Sequence, residues 1–221
     1  LKILALDTST EACSVALVIE QSVSERTVSG QQHSASVLGL IDELLIEAAL
    51  RLSDLDAIAF GRGPGLFTGL RIGSGVVQGL AFGAGLPVVP VSSLAALAQA
   101  EQEPRVLAAI DARMSQVYWA AYVRTAAGTV EPVGAESVLA PQDVPVPASV
   151  GWVGVGSGWD QYEQALRRRV GSTLLAWRAR RYPQARHVAE LGLIGLRHGQ
   201  AVAPEQALPV YLRDEVAHLP R

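Results

Sequence analysis

Two aspartates stand where the sequence could do chemistry. Asp7 ends the apolar run LKILALD and Asp111 ends RVLAAID, each followed by a short polar turn and a second apolar run. The stretch LALDTSTEACSVALV from Leu4 is echoed by AAIDARMSQVYWAAY from Ala108, so Asp7 corresponds to Asp111. Carboxylates held in turns suit a hard cation such as magnesium, which takes oxygen ligands, and Thr8 and Ser9 add hydroxyls beside the first. The second turn differs: Arg113 brings a bulky cation two residues after Asp111, and an Arg–Asp pair closing the space between the turns is an equal alternative. A third feature is the run GRGPGLFTGLRIGSGVVQG from Gly61 to Gly79. Glycines around Pro64 make a tight turn, and a phosphate could sit at the helix start that follows. The run lacks the Lys and Ser/Thr placement of a P-loop, so a plain turn capped by Thr68 is favoured. Cys13 lies in an alternating apolar run and reads as a buried small hydrophobe rather than a nucleophile. No HExxH pattern is present to support a zinc endopeptidase.

The elements that must position these residues follow from periodicity. Lys2 to Asp7, Cys13 to Glu20 and Ser22 to Val28 read as three successive strands. A helix is expected from Ser34 to Leu52, a strand from Ala57 to Phe60, a helix from Thr68 to Gly85 and a strand from Pro87 to Val91. Ser92 or Ser93 caps a third short helix. Residues 1–103 form a first lobe on this reading, and residues 104–221 a second. The second opens with the strands Arg105 to Asp111 and Gln116 to Arg124, and continues through loops and edge strands between Thr125 and Pro147. It ends with a strand at Trp152 to Gly156, helices at Asp160 to Val170 and His187 to His198, and a closing segment at Pro209 to Arg213.

The first two long helices carry more apolar surface than one sheet needs. Val37, Ile41, Leu44, Leu45, Ala48 and Leu52 make a stripe wide enough to dock the first helix. Ala35, Gly39, Ile46 and Leu50 form a second stripe on the opposite face. In the second helix, Gly69, Gly73, Gly75, Gly79 and Gly83 each cost roughly 1 kcal/mol against alanine. Gly75, Gly79 and Gly83 recur every fourth residue, a smooth track along which another backbone can approach. Arg71, Gln78 and Phe82 lie on the far side, where Phe82 is either an exposed anchor or packed under a loop. The second neighbour of both helices is another subunit or a further element of this chain, and the pattern alone leaves both open.

Composition bounds the function classes. The chain has 221 residues, 49% hydrophobic and 18% charged, with a net charge of −3. It can therefore bury a core, and it is not expected to hold nucleic acid through a broad basic surface. The WRARRY run from Trp177 could offer charges and stacking groups to RNA, but a solvated surface segment is the default. The absence of a signal-like start and of a disulfide pair predicts a cytoplasmic protein. The apolar run Ile72 to Val89 contains five glycines, Gln78 and Pro87 and is read as a packed helix rather than a membrane span.

Two hairpin-led lobes with an Asp in each first turn resemble the actin-like, ribonuclease H-like superfamily, which implies an α/β two-lobe fold, βββαβαβα repeated. DTSTEACSVAL, HSASVLGLIDELL, FGRGPGLFTGLRIGSGVVQGLA, IDARMSQVYWA and PVYLR together resemble the TsaB (YeaZ) family over nearly the whole chain. That resemblance implies a non-catalytic subunit of tRNA threonylcarbamoyladenosine synthesis. It would bind and activate TsaD, with TsaE as an ATPase partner, contact tRNA only indirectly and self-associate as a homodimer when alone. It also implies no cofactor on this chain, with ATP and magnesium on the partner subunits. The interface it implies comprises Ala35, Gly39, Ile46, Leu50, Arg71, Ile72, Gly75, Gln78, Gly79, Phe82 and Gly83. TsaD-like proteins hold a metal through two helical histidines four residues apart; here His33 matches the second and Ser29 stands at the first, so no competent site is expected. The alternative function is a small-metabolite kinase or ATPase of the same superfamily, using Asp7, Thr8, Ser9 and Asp111.

Overall fold

The computed structural model describes residues 1–30 and 36–213 in full, and residues 33–35 as helical backbone only. Expectations for the side chains of His33 and Ala35 lie outside the described residues.

The first sheet contains β1 (Lys2–Asp7), β2 (Ala12–Ile19), β3 (Ser22–Ser29), β4 (Ala57–Gly63) and β5 (Val88–Ser92), in the order β3-β2-β1-β4-β5. β1 pairs antiparallel with β2 and parallel with β4, as a hairpin followed by a helical crossover requires. β2 is apolar on both faces because both are covered. Cys13, Val15 and Leu17 pack under α1 (His33–Glu47) and α2 (Phe67–Ala84), whereas Ala16 and Val18 meet α6 (Ala185–Arg197) on the other side. Ser14 is the polar exception. Its Oγ accepts from Ala185 N at 3.0 Å, satisfying a backbone donor at the start of α6.

The second sheet contains β6 (Arg105–Asp111), β7 (Val117–Arg124), β8 (Val130–Pro132), β9 (Ser137–Leu139), β10 (Trp152–Val155) and β11 (Leu174–Arg178). Its main path, β11-β10-β6-β7-β8, with β9 paired to β7, repeats the order of the first sheet. β6 and β7 are antiparallel, and β6, β10 and β11 are parallel. Two α/β sheets of this order, each opening with a hairpin, are the actin-like, ribonuclease H-like fold. The repeat is incomplete in the helices: between β8 and β10, where α1 stands in the first half, the chain forms β9 and a 3-10 turn at Pro141–Asp143. α3 (Ser93–Gln99) lies between the sheets, its Leu94, Leu97 and Ala98 packed on Val106, Ala108, Ile110 and Tyr122. Trp119, Trp152 and Trp159 fill the far face under α4 (Ser157–Gln161) and α5 (Glu163–Val170).

Several boundaries differ from the sequence expectation. α1 ends at Glu47, five residues before Leu52, because Ala49 adopts a left-handed φ of 51°. Leu50 N then bonds Leu45 O and Ala49 N bonds Ile46 O, each at 3.0 Å, the paired closure that satisfies the last carbonyls. The same turn swings Leu50 back onto the core. α2 starts one residue early with Leu66 as its cap position, so Thr68 is an exposed helical residue and not the cap. Ser92 does cap α3, accepting from Ala95 N at 3.2 Å. The helix expected over Asp160 to Val170 is two helices broken at Tyr162, and β11 occupies part of the WRARRY run. That run is not a free basic strip. Arg178 is paired with Glu101 (2.5 Å) and with Glu103, Arg180 approaches Asp160 at 3.6 Å, and Arg167 lies 4.3 Å over the Trp177 ring. Among the described residues, no helix is long and apolar enough to cross a membrane.

Candidate partner interface

The two aspartate turns share one local design. Asp7 Oδ1 accepts from Ser9 N at 2.9 Å and Asp111 Oδ1 from Arg113 N at 2.9 Å, each carboxylate closing its own turn. Beyond that they diverge. Asp7 is fully buried and takes hydroxyl hydrogen bonds from Ser9 (2.7 Å) and Ser93 (2.8 Å). Thr8 donates to Gly69 O at 2.7 Å, and Leu66 N donates to Ser9 O at 2.7 Å. Side chains at Gly61, Gly65 or Gly73 would overlap Asp7, Ser9 and Thr8 respectively. The glycine run is thus a lid of bare backbone seated on the first turn. Asp7, Thr8, Ser9 and Thr10 are each at most 1% exposed. The phosphate and magnesium that the fold family implies do not fit this turn, because its hydroxyls and carboxylate are spent on one another and on the lid.

Arg113 ties the second turn to the first: its guanidinium meets Asp111 at 3.1 Å and Glu11 at 2.7 Å, joining the two hairpin turns. Of the two sequence alternatives, the Arg–Asp pair is the one observed. Arg113, Met114 and Ser115 are consecutively left-handed, a conformation costing roughly 1–2 kcal/mol per residue. Arg213 steadies the turn by donating to Ala112 O (3.0 Å) and Gln116 Oε1 (2.6 Å). Cys13 lies behind the first turn, where burial, then the Asp7 charge, pushes its thiol up to about 11. A thiol held neutral in this way is a packing group, not a nucleophile.

The outer face of α1 and α2 behaves differently. Gly39, Ile46, Arg71, Gly75, Gly79, Phe82 and Gly83 are all exposed, with Ile46 at 77% and Phe82 at 80%. Leu38, which the helical wheel did not single out, adds a further apolar side chain at 49%. Leu50, Ile72 and Gln78 depart from the expected set. The first two pack on the core and Gln78 donates to Ala207 O at 3.3 Å, so the chain itself engages them. A Cβ at Gly39, Gly75, Gly79 or Gly83 would meet nothing within 4 Å. Nothing in this chain's packing requires glycine at these helical positions, whereas Gly73 on the inner face is required. At the start of α2, Phe67 and Tyr211 stack at 5.2 Å and Arg71 lies 3.9 Å over the Phe67 ring. The C-terminal segment is held along the same helix by Ser74, which donates to Ala207 O at 2.5 Å. No sequence signal pointed to the contacts that Phe67, Arg71 and Ser74 make with Tyr211 and Ala207, since they join residues more than 100 positions apart.

Comparison with known proteins agrees with this architecture. A family model described as TsaD, tRNA N6-adenosine threonylcarbamoyltransferase, matches residues 18–220. The chain is similar to the tRNA threonylcarbamoyladenosine biosynthesis protein TsaB of Escherichia coli, with 41% identity covering 98% of this chain and 96% of that protein. The Haemophilus influenzae protein of the same name is 39% identical, covering 98% and 95%. The solved structure of YeaZ from Pseudomonas aeruginosa superimposes with a TM-score of 0.89 at 46% identity, covering 96% of this chain and 99% of that one. On this likeness, extending through both sheets and both aspartate turns, the chain belongs to the TsaB (YeaZ) family.

Proposed function

We propose that this chain is a non-catalytic subunit of tRNA threonylcarbamoyladenosine synthesis, acting in the cytoplasm. It binds a TsaD-type subunit through the outer face of α1 and α2 and holds it in its active form for threonylcarbamoyl transfer to adenosine. The observation that carries this reading is the set of outer-face glycines of α2, Gly75, Gly79 and Gly83, which have open space where a side chain would go. Helical glycine is unfavourable by roughly 1 kcal/mol per residue against alanine, and close approach of a second helix offsets that cost by dispersion contact along the bare track. Ile46, Leu38 and Phe82 flank the track as apolar anchors. The same face can pair with its own copy, so a homodimer is expected when the partner is absent. A TsaE-type ATPase joins the assembled pair rather than this chain alone. The names of the relatives and the family model support the pathway; the buried first turn supports a structural rather than nucleotide-binding role for Asp7, Thr8 and Ser9.

The test is co-purification with a TsaD-type subunit, followed by the tRNA modification assay with and without this chain. A stable complex, and modification that depends on adding the chain, are expected. Full modification by the other subunits alone would refute the activating role.

A further inference from the structure

A recess separate from the helix face lies between the edge of the first sheet and the connection from β11 to α6. Its volume is about 310 Å³, and its walls include Thr27, Ser29, Arg180, Arg181, Tyr182 and His187. Residues 157–197 hold eight arginines against three acids, in a chain whose net charge is −3. Four of these arginines are already engaged: Arg178 with Glu101 and Glu103, Arg186 with Glu25, Arg167 with Glu163, and Arg169 with Val144 O. The two in the recess are not engaged to the same degree. Arg180 reaches Asp160 only at 3.6 Å, with both side chains substantially exposed, and among the described residues Arg181 makes no ion pair or hydrogen bond.

Two acidic groups near the recess already have partners. Glu101, which also lines it, is bound by Arg178 at 2.5 Å. Glu190 accepts from Gln99 Nε2 at 3.3 Å and lies 3.1 Å from His187 Nδ1. Arg180 is left-handed at φ 55°, a strained backbone state that bulky residues keep where the surroundings over-determine it. Two guanidinium groups and the Ser29 and Tyr182 hydroxyls form a donor set suited to a tetrahedral oxyanion. The volume leaves room for a phosphoryl group carried on a larger molecule.

We propose that this recess binds a phosphoryl group, either in an RNA backbone or on a phosphorylated small molecule, with Arg181 as its principal contact. The reading does not depend on the partner interface, because none of its residues lies on α1 or α2.

The full chain is titrated with inorganic pyrophosphate by calorimetry and with an unmodified tRNA by fluorescence anisotropy. Wild type, Arg181→Glu and, as a control for charge alone, Arg168→Glu on the exposed end of α5 are compared at fixed salt. Arg181→Glu is expected to weaken at least one ligand by about tenfold or more, as loss and reversal of a charge-assisted contact implies, while Arg168→Glu changes that ligand less than threefold. If the source is RNA, the salt slope of tRNA binding also falls by about one contact in Arg181→Gln. If it is a small molecule, pyrophosphate binding responds and tRNA binding does not. Absence of binding to either probe, affinities within twofold for Arg181→Glu, or an equal loss in Arg168→Glu would each overturn the proposal.

Discussion

Replacing Ile46 or Gly79 with glutamate is expected to weaken binding of a TsaD-type subunit by about 100-fold or more while leaving the isolated chain folded. A carboxylate placed in a helix–helix interface without a partner costs roughly 3–5 kcal/mol, and 1.4 kcal/mol is a factor of ten in affinity. The folded chain is indifferent to both changes: Ile46 is 77% exposed, and a side chain at Gly79 meets nothing within 4 Å. Exposed substitutions away from special features change stability by about 0.5 kcal/mol or less, and glutamate is a better helix former than glycine. Gel filtration of the mixed subunits, with a thermal melt of each variant alone, separates the two effects. Unchanged complex formation would remove the interface from α1 and α2. The gentler triple change of Gly75, Gly79 and Gly83 to alanine carries the same logic with no charge, since it should stabilise the monomer and weaken the complex together.

The second expectation sets two glycines of one helix against each other. Gly79→Ala should raise stability by about 0.5–1 kcal/mol, the propensity gain of an exposed helical position. Gly73→Ala should lower it by about 2 kcal/mol. Its Cβ would overlap Thr8 Oγ1, the atom that donates to Gly69 O. Overpacking a tight contact costs roughly 1–3 kcal/mol, and displacing the hydroxyl adds about 1 kcal/mol more for the lost bond, against the propensity gain. Chemical denaturation midpoints with unchanged slopes would measure the difference between the variants, expected near 3 kcal/mol. Equal midpoints would mean that α2 does not seat on the first turn as described.

Much of this architecture is written in short-range pattern. The Asp7 and Asp111 hairpins are visible because each carboxylate closes its own turn two residues on, a local device that recurs in the echo of the two segments. The bare track on α2 is legible because glycine spacing alone places Gly75, Gly79 and Gly83 on one side. What the pattern does not carry is long-range or conformationally unusual. Ala49 takes a left-handed φ without being glycine or asparagine, so the end of α1 and the inward turn of Leu50 have no sequence marker. The strand LLAWR is brief and followed by charges, and its strand character comes from pairing with β10. Arg113 shows a cation near Asp111 in sequence, but its second partner, Glu11, lies in the other half of the chain. Gln78 falls on the far side of a helical wheel, which cannot see Ala207, and Ile72, which the family resemblance puts in the interface, packs on the core instead.

In the proposed assembly the TsaD-type subunit sits on the outer face of α1 and α2. Hydrogen–deuterium exchange of this chain, alone as a function of concentration and then saturated with that subunit, addresses it without any substitution. Amide protection on complex formation is predicted across residues 38–46 and 71–83, with little change at the Asp111 turn. Unaltered exchange in both helices, with new protection confined to the second lobe, would contradict it.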